Sequence, residues 1–247
     1  MTNLYKADMK RIFKNPIFIG GCIIALIVTF AFTSNCIGLT GRFGNMEPDR
    51  RMFFISIAMM GFFTIFVPLY SNMEYRYGVI RNKITAGFTQ KQVYFSHLLS
   101  HFTALAVMMG LYLVAGILGG ARDFGKMISS NLILFLALCG YISALMLITT
   151  RVLKIVLVSI FAFFLLNVIY MGTMIGNALL SFVLKGAAKQ VGVIVYNMSV
   201  FGQWFSRTGL ADDYVNPGSL AQVVVSAAVI LVMVFLATVG LDKRDLK

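Results

Sequence analysis

Residues 72–96 read NMEYRYGVIRNKITAGFTQKQVYFS. This polar stretch decides the layout of the chain, because a long hydrophobic run stands on either side of it. Taken as a helix over 72–88, it puts Met73, Tyr77, Ile80 and Ile84 on one face, at spacings of four, three and four. Arg76, Arg81, Lys83 and Thr85 fall elsewhere around it, so the segment is amphipathic and basic. Glu74 sits in the first turn, where a negative charge suits the helix dipole. Gly87 is placed to end the helix in a left-handed conformation. Thr89 followed by Gln92 reads as a capping box opening the next helix.

Working outward, composition sets the class. The chain has 247 residues, of which 59% are hydrophobic and 12% charged, and its mean hydropathy is +0.86. No soluble globule has that profile. Six runs reach the roughly 20 residues needed to cross the hydrocarbon core as helices. They are 16–39, 52–70, 97–120, 128–150, 155–177 and 220–241, and every Lys, Arg, Asp and Glu falls outside them. Such a partition is expected where unpaired charge in lipid is costly.

The positive charge sets the orientation. With the N-terminus cytoplasmic, the inner segments hold Lys6, Lys10, Arg11, Lys14, Arg76, Arg81, Lys83, Lys91, Arg151, Lys154, Lys243, Arg244 and Lys247. The longer outer segments hold Arg42, Arg50, Arg51, Arg122, Lys126, Lys185, Lys189 and Arg207. Both termini are then inside. The net charge of +12 reads as topology and attraction to anionic membrane lipid, not nucleic-acid binding. Cys22, Cys36 and Cys139 lie within spans and read as packing residues.

Along the chain, residues 1–15 predict an interfacial helix, with Leu4, Tyr5, Met9, Ile12 and Phe13 on one side and Lys6, Lys10, Arg11 and Lys14 over the rest. They are too polar for a secretory leader. Pro16 then makes an elbow into the first span. The second span is rich in Met and Phe, and Pro68 is expected to kink it. His97 and His101, one turn apart, read as polar residues at the membrane interface. No Glu follows the first, and no acidic residue in a neighbouring span completes a metal site. Gly120–Lys126 imitates a phosphate-binding loop, but Met127 replaces the Ser or Thr that holds magnesium and no strand precedes it, so no nucleotide site is expected. From 155 to 184 the apolar run exceeds one span, with Gly172, Gly176 and Asn177 offering the break. Residues 178–219 then predict a pair of short helices that dip into the outer leaflet and return. Trp204, the only tryptophan, sits in the second. Asn167, at mid-span, needs a partner: another helix or a cavity.

Together these features resemble the permease subunit of a type-2 ABC exporter. The most specific piece is Glu74–Gln92, containing E-x-R-x-G-x-I-R-N-K-I-T-x-G-F-T, which is similar to that family's coupling helix and the start of its third span. The resemblance implies an all-α membrane protein, a single domain over 1–247. It would have six transmembrane helices, an N-terminal elbow helix, a cytoplasmic coupling helix over 72–88 and a re-entrant hairpin over 178–219 before the last span. It implies two permease copies, a homodimer, and two copies of a separate ATPase that binds the ATP and magnesium, with no cofactor or metal on this chain. Glu74, Arg76, Tyr77, Ile80, Arg81, Lys83 and Ile84 would dock the ATPase. Spans one, two and five line the family's pathway, which here places Phe62, Phe63, Phe66, Asn167 and Tyr170 along it. A hydrophobic or amphipathic cargo (peptide, lipid or drug) leaving a bacterial cell through the cell membrane is the implied activity. A stand-alone secondary transporter and an intramembrane enzyme remain as alternatives. The first needs a buried charge in a span, and the second needs paired glutamates where only Glu47 and Glu74 exist.

Overall fold

We describe residues 2–152, 155–208 and 215–241 of a computed structural model, leaving aside the side chains of residues 42, 155 and 156. Part of the expected Arg151–Lys154 turn and all of the 242–247 tail lie outside the described residues. Helix α1 runs Thr2–Lys14, α2 Pro16–Ser34, α3 Gly41–Gly44, α4 Pro48–Ile55, α5 Ala58–Arg76, α6 Val79–Thr85, α7 Gln90–Leu118, α8 Phe124–Arg151 and α9 Ile155–Ala178. A π-helical turn, Leu179–Val183, follows. The remaining helices are α10 (Gly186–Tyr196), α11 (Val200–Arg207) and α12 (Ser219–Thr238). No strand occurs among the described residues. Six helices are long and apolar enough to cross a membrane: α2, α4 with α5, α7, α8, α9 with its π turn, and α12. That fits a multi-pass membrane protein.

Local chemistry sets most boundaries. Asn15 Oδ1 accepts the Ile17 N–H at 2.9 Å, and Pro16 takes the first turn of α2, where its missing donor costs nothing. Asn35, at φ 59°, closes α2 in the left-handed region, a few residues before the expected end at Leu39. The capping box that opens α7 is complete. Thr89 Oγ1 accepts the Gln92 N–H at 3.2 Å, and Gln92 Oε1 accepts the Thr89 N–H at 3.0 Å.

Three expectations are corrected. Residues 72–88 are not one helix: α5 carries on through Glu74 to Arg76, Gly78 takes φ 67°, and α6 starts afresh at Val79. Glycine, with no Cβ, adopts that angle readily, so the single face Met73–Tyr77–Ile80–Ile84 is divided between two helices. The second span is broken at Ser56–Ile57, between α4 and α5, while Pro68 stands inside α5. Other helices reach carbonyls at the break: Tyr112 Oη donates to Met52 O at 2.8 Å, and Trp204 Nε1 to Phe53 O at 3.1 Å, which also accepts from the Ser56 N–H and hydroxyl. Of the three residues expected to break the long apolar run, Gly172 and Gly176 do not interrupt it, while α9 gives way to the π turn just past Asn177, after Ala178. Glycines are common within membrane helices, and α9 passes through both before the π turn.

Helix α8 is the most enclosed of the spanning helices; it packs along α12 and against α5, while α2 packs along α7 and α5 along α9. The core between them is aliphatic and aromatic, with Phe18, Phe63, Phe66, Leu105, Leu138 and Ile142 fully buried. At the α10–α11 end a polar network joins the loops to α12. Asn197 Nδ2 donates to Val215 O, Gln222 Nε2 to Asn197 Oδ1 and Gln203 Nε2 to Ser226 Oγ, all within 2.9 Å. These buried amides tie α10 and α11 onto the bundle, since leaving any one unmade is costly. Gly202 is where that turn is tightest, because a Cβ there would run into the Tyr196 carbonyl oxygen. Gly202→Ala is therefore expected to destabilise by about 1–3 kcal/mol. Gly172→Ala, whose Cβ meets nothing within 4 Å, should leave the thermal unfolding midpoint in detergent unchanged.

Candidate functional site

Helix α1 meets the consecutive helices α5, α6 and α7, which lie much further along the chain, at the end of the bundle where α1 and α6 lie. Helix α1 crosses α7, with Tyr5 Oη and Thr103 Oγ1 2.7 Å apart. Leu4 joins Ile80 and Val93 in a small apolar cluster on which Tyr75, Ile84 and Phe88 pack. Behind that cluster, α1 contributes Asp8, α5 Glu74, α6 Lys83 and α7 His97. All four are buried, and Asp8 is 0% exposed.

Lys83 is the hub. Its Nζ donates to Asp8 Oδ1 at 2.6 Å and to Glu74 Oε2 at 2.9 Å, and it lies 2.6 Å from His97 Nε2. An ammonium has three donors and finds three partners here. His97 Nε2 is also 2.6 Å from Glu74 Oε2; it accepts from the ammonium in one tautomer and donates to the carboxylate in the other. The outer oxygens are filled as well. Ser96 Oγ donates to Asp8 Oδ2 at 2.5 Å, Tyr70 Oη to Glu74 Oε1 at 3.1 Å, and half-exposed Arg11 reaches Glu74 Oε1 at 3.3 Å. Two carboxylates thus face two cations. Buried charge persists only when paired and hydrogen-bonded in this way.

Asp8, Glu74 and His97 offer ligating atoms within 4.8 Å of one another. The ammonium of Lys83 stands among them and supplies the positive charge. No acidic residue of a neighbouring span was expected to join the histidines; the acids that join His97 come from α1 and from the extension of α5 beyond residue 70. Both histidines lie inside the protein. His101 is fully buried, its Nδ1 is 2.7 Å from His97 O, and its ring lies 5.9 Å from Phe66 and 5.5 Å from Tyr70. Beside the cluster a cavity of about 40 Å³ touches Ser71, Tyr94, His97, Thr149 and Thr150. The Tyr94 hydroxyl is buried without a partner among the described residues, and the space is enough for water.

Of the residues expected to dock a partner, Glu74, Ile80 and Lys83 are inside the protein, and Ile84 is half-buried against Leu4 and Val93. Arg76, Tyr77 and Arg81 are exposed, Tyr77 by 69%. Of the pathway residues, Phe63 and Phe66 belong to the chain's own core, and Phe62 lines a cavity of about 130 Å³ between α2, α5 and α7. Asn167 and Tyr170 are on the exposed side of α9. Asn167 Nδ2 is satisfied by Phe163 O of its own helix at 2.8 Å, a partner within α9 where another helix or a cavity was expected.

Asp8, missed from the sequence as part of any site, shares a face with Leu4 and Ile12 at steps of four residues. An acid in the apolar register of an amphipathic helix was the available signal. The fold is an all-helical bundle with six helices long and apolar enough to cross a membrane, which fits a multi-pass membrane protein, and its N-terminal helix is tied by buried charge to the α5–α6 joint. No family model, curated protein or solved structure matches the chain.

Proposed function

We propose that the chain is the membrane-spanning subunit of an ATP-driven exporter of the type-2 ABC class. In this reading it works as a homodimer with two copies of a separate ATPase and moves a hydrophobic or amphipathic substrate out of a bacterial cell. The observation that carries the reading is the construction of the α5–α6 joint. Its inner side is locked by Lys83 to α1, α5 and α7, while its outer side presents Arg76, Tyr77 and Arg81. A short helix held rigidly on one side and bare on the other transmits a push to the spans it is tied to. The α1–α6 end is then cytoplasmic, α1 serves as the interfacial elbow, and α10 with α11 forms the re-entrant pair on the outer face. The exposed Asn167 on α9, the least enclosed spanning helix, supports a second copy on that side, since an amide in lipid seeks a hydrogen-bonding neighbour.

The buried Asp8–Glu74–Lys83–His97 cluster favours one other reading, a proton-coupled secondary transporter, because ionisable groups at membrane depth mark coupling sites. One experiment separates the two. The chain is purified from its native membrane and assayed for a co-purifying ATPase, then reconstituted alone with a pH gradient. A stoichiometric ATPase and no uptake by the lone chain is the expected result. Gradient-driven transport by the lone chain would establish the other reading.

A further inference from the structure

At the opposite end of the bundle, α9, the π turn and α10 enclose a groove of about 490 Å³, within the size range of small-molecule sites. Its walls include Ile169, Gly172, Leu180, Leu184, Val191 and Val195, and it carries no charged side chain. Glycines make the concavity. A Cβ on Gly192 would meet Leu180 and Leu184 at about 3 Å, and one on Gly176 would meet the Tyr196 ring at 3.1 Å, while Gly172 faces open space. The Thr173 hydroxyl is already used by Ile169 O at 2.8 Å and Ser199 Oγ at 3.2 Å, so that part of the wall holds its ligand by apolar contact. Val191 and Val195 are 61% and 58% exposed, so the groove opens sideways. The π turn forms part of its wall, and such turns recur at functional sites. Lys185, exposed at the N-cap of α10, directly follows Leu184 and precedes Ala188 by one turn, and both of these line the groove.

From this combination we propose that the groove seats one acyl chain of an anionic phospholipid, with the headgroup phosphate against Lys185. A lysine stem lies along apolar surface while its ammonium meets the phosphate at the membrane boundary. The site stands independently of whether an ATPase drives the protein.

The test uses the full chain in phosphatidylcholine vesicles carrying phosphatidylglycerol with a photoreactive diazirine near the end of one acyl chain. Labelled residues are mapped by peptide mass spectrometry. Labelling of the groove walls is expected to exceed that of Ile23, Ile24 and Ile27, which are exposed on α2, by about fivefold, the scale of one lysine acting on an anionic headgroup. The same diazirine on phosphatidylcholine should show no such excess. Gly172→Phe should fill the groove and remove the excess while α2 stays labelled. Lys185→Glu, a surface change that leaves folding intact, should abolish the preference between headgroups. Equal labelling of groove and α2, equal labelling by the two lipids, an excess that survives Gly172→Phe, or a groove left unlabelled because a second copy covers it would each overturn the proposal.

Discussion

Replacing Lys83 with methionine is expected to unfold or severely loosen the α1–α6 end of the protein. The substitution keeps the length of the side chain but leaves Asp8, Glu74 and His97 around an apolar tip. Removing one member of a buried ion pair costs about 3–5 kcal/mol, because the remaining charge has lost both water and partner. Against a total stability of about 5–15 kcal/mol, that loss is decisive. The measurement is the thermal unfolding midpoint of the detergent-purified chain, together with trypsin cleavage at the α1 lysines, which should become fast. Asp8→Asn alone should be damaging for the same reason. The double variant Asp8→Asn with Lys83→Met should recover part of the loss, by about 1–3 kcal/mol of coupling, since residues in contact are non-additive. Lys83→Arg should fall between, because a planar guanidinium cannot point three donors at three separate helices as an ammonium does. Equal stability of wild type and Lys83→Met would show that the cluster does not hold the helices together.

Charge reversal on the other side of the same joint should have the opposite profile. Tyr77→Asp with Arg81→Glu changes two exposed side chains, so the effect on folding should stay within about 0.5 kcal/mol. If an ATPase docks on this surface, an aromatic and an arginine are the residue types that dominate binding, each worth about 2 kcal/mol or more. The pair should then weaken co-purification of the ATPase by at least about a hundredfold while the bundle remains intact. Ile84→Asp is the wrong probe for docking, because Ile84 packs with Leu4, Ile80 and Val93 and its loss would disturb folding itself. Undiminished ATPase binding by the Tyr77/Arg81 variant would move the docking surface elsewhere. Set beside the Lys83 variants, it also distinguishes a broken lever from a lost contact.

Particular residues show how far reading the chain could reach. The spanning helices follow from long apolar runs kept free of charge, a pattern that lipid enforces one segment at a time and that therefore needs no knowledge of neighbours. The Pro16 start, the Thr89–Gln92 box and the left-handed Gly87 are equally local, because caps and turns are made by residues a few positions apart. Gly78 was also visible, but its consequence was not: an amphipathic period runs through a glycine on paper, whereas a φ of 67° redirects the helix axis. The buried cluster joins α1 to α6 and α7 across 75 and 88 residues. Leu4–Asp8–Ile12 and Val93–His97–His101 each show a titratable group in an apolar register, which announces burial with a partner without saying which partner. Pairing of distant charges is set by which helices pack together, and that depends on the fit of whole surfaces. The apolar groove beside α10 arises in the same way, from glycines on two helices that come face to face. The sequence thus determined the number and apolar character of the long helices; where each one bends or stops, which face of it is inside, and which charges pair there, was decided only once the helices were packed.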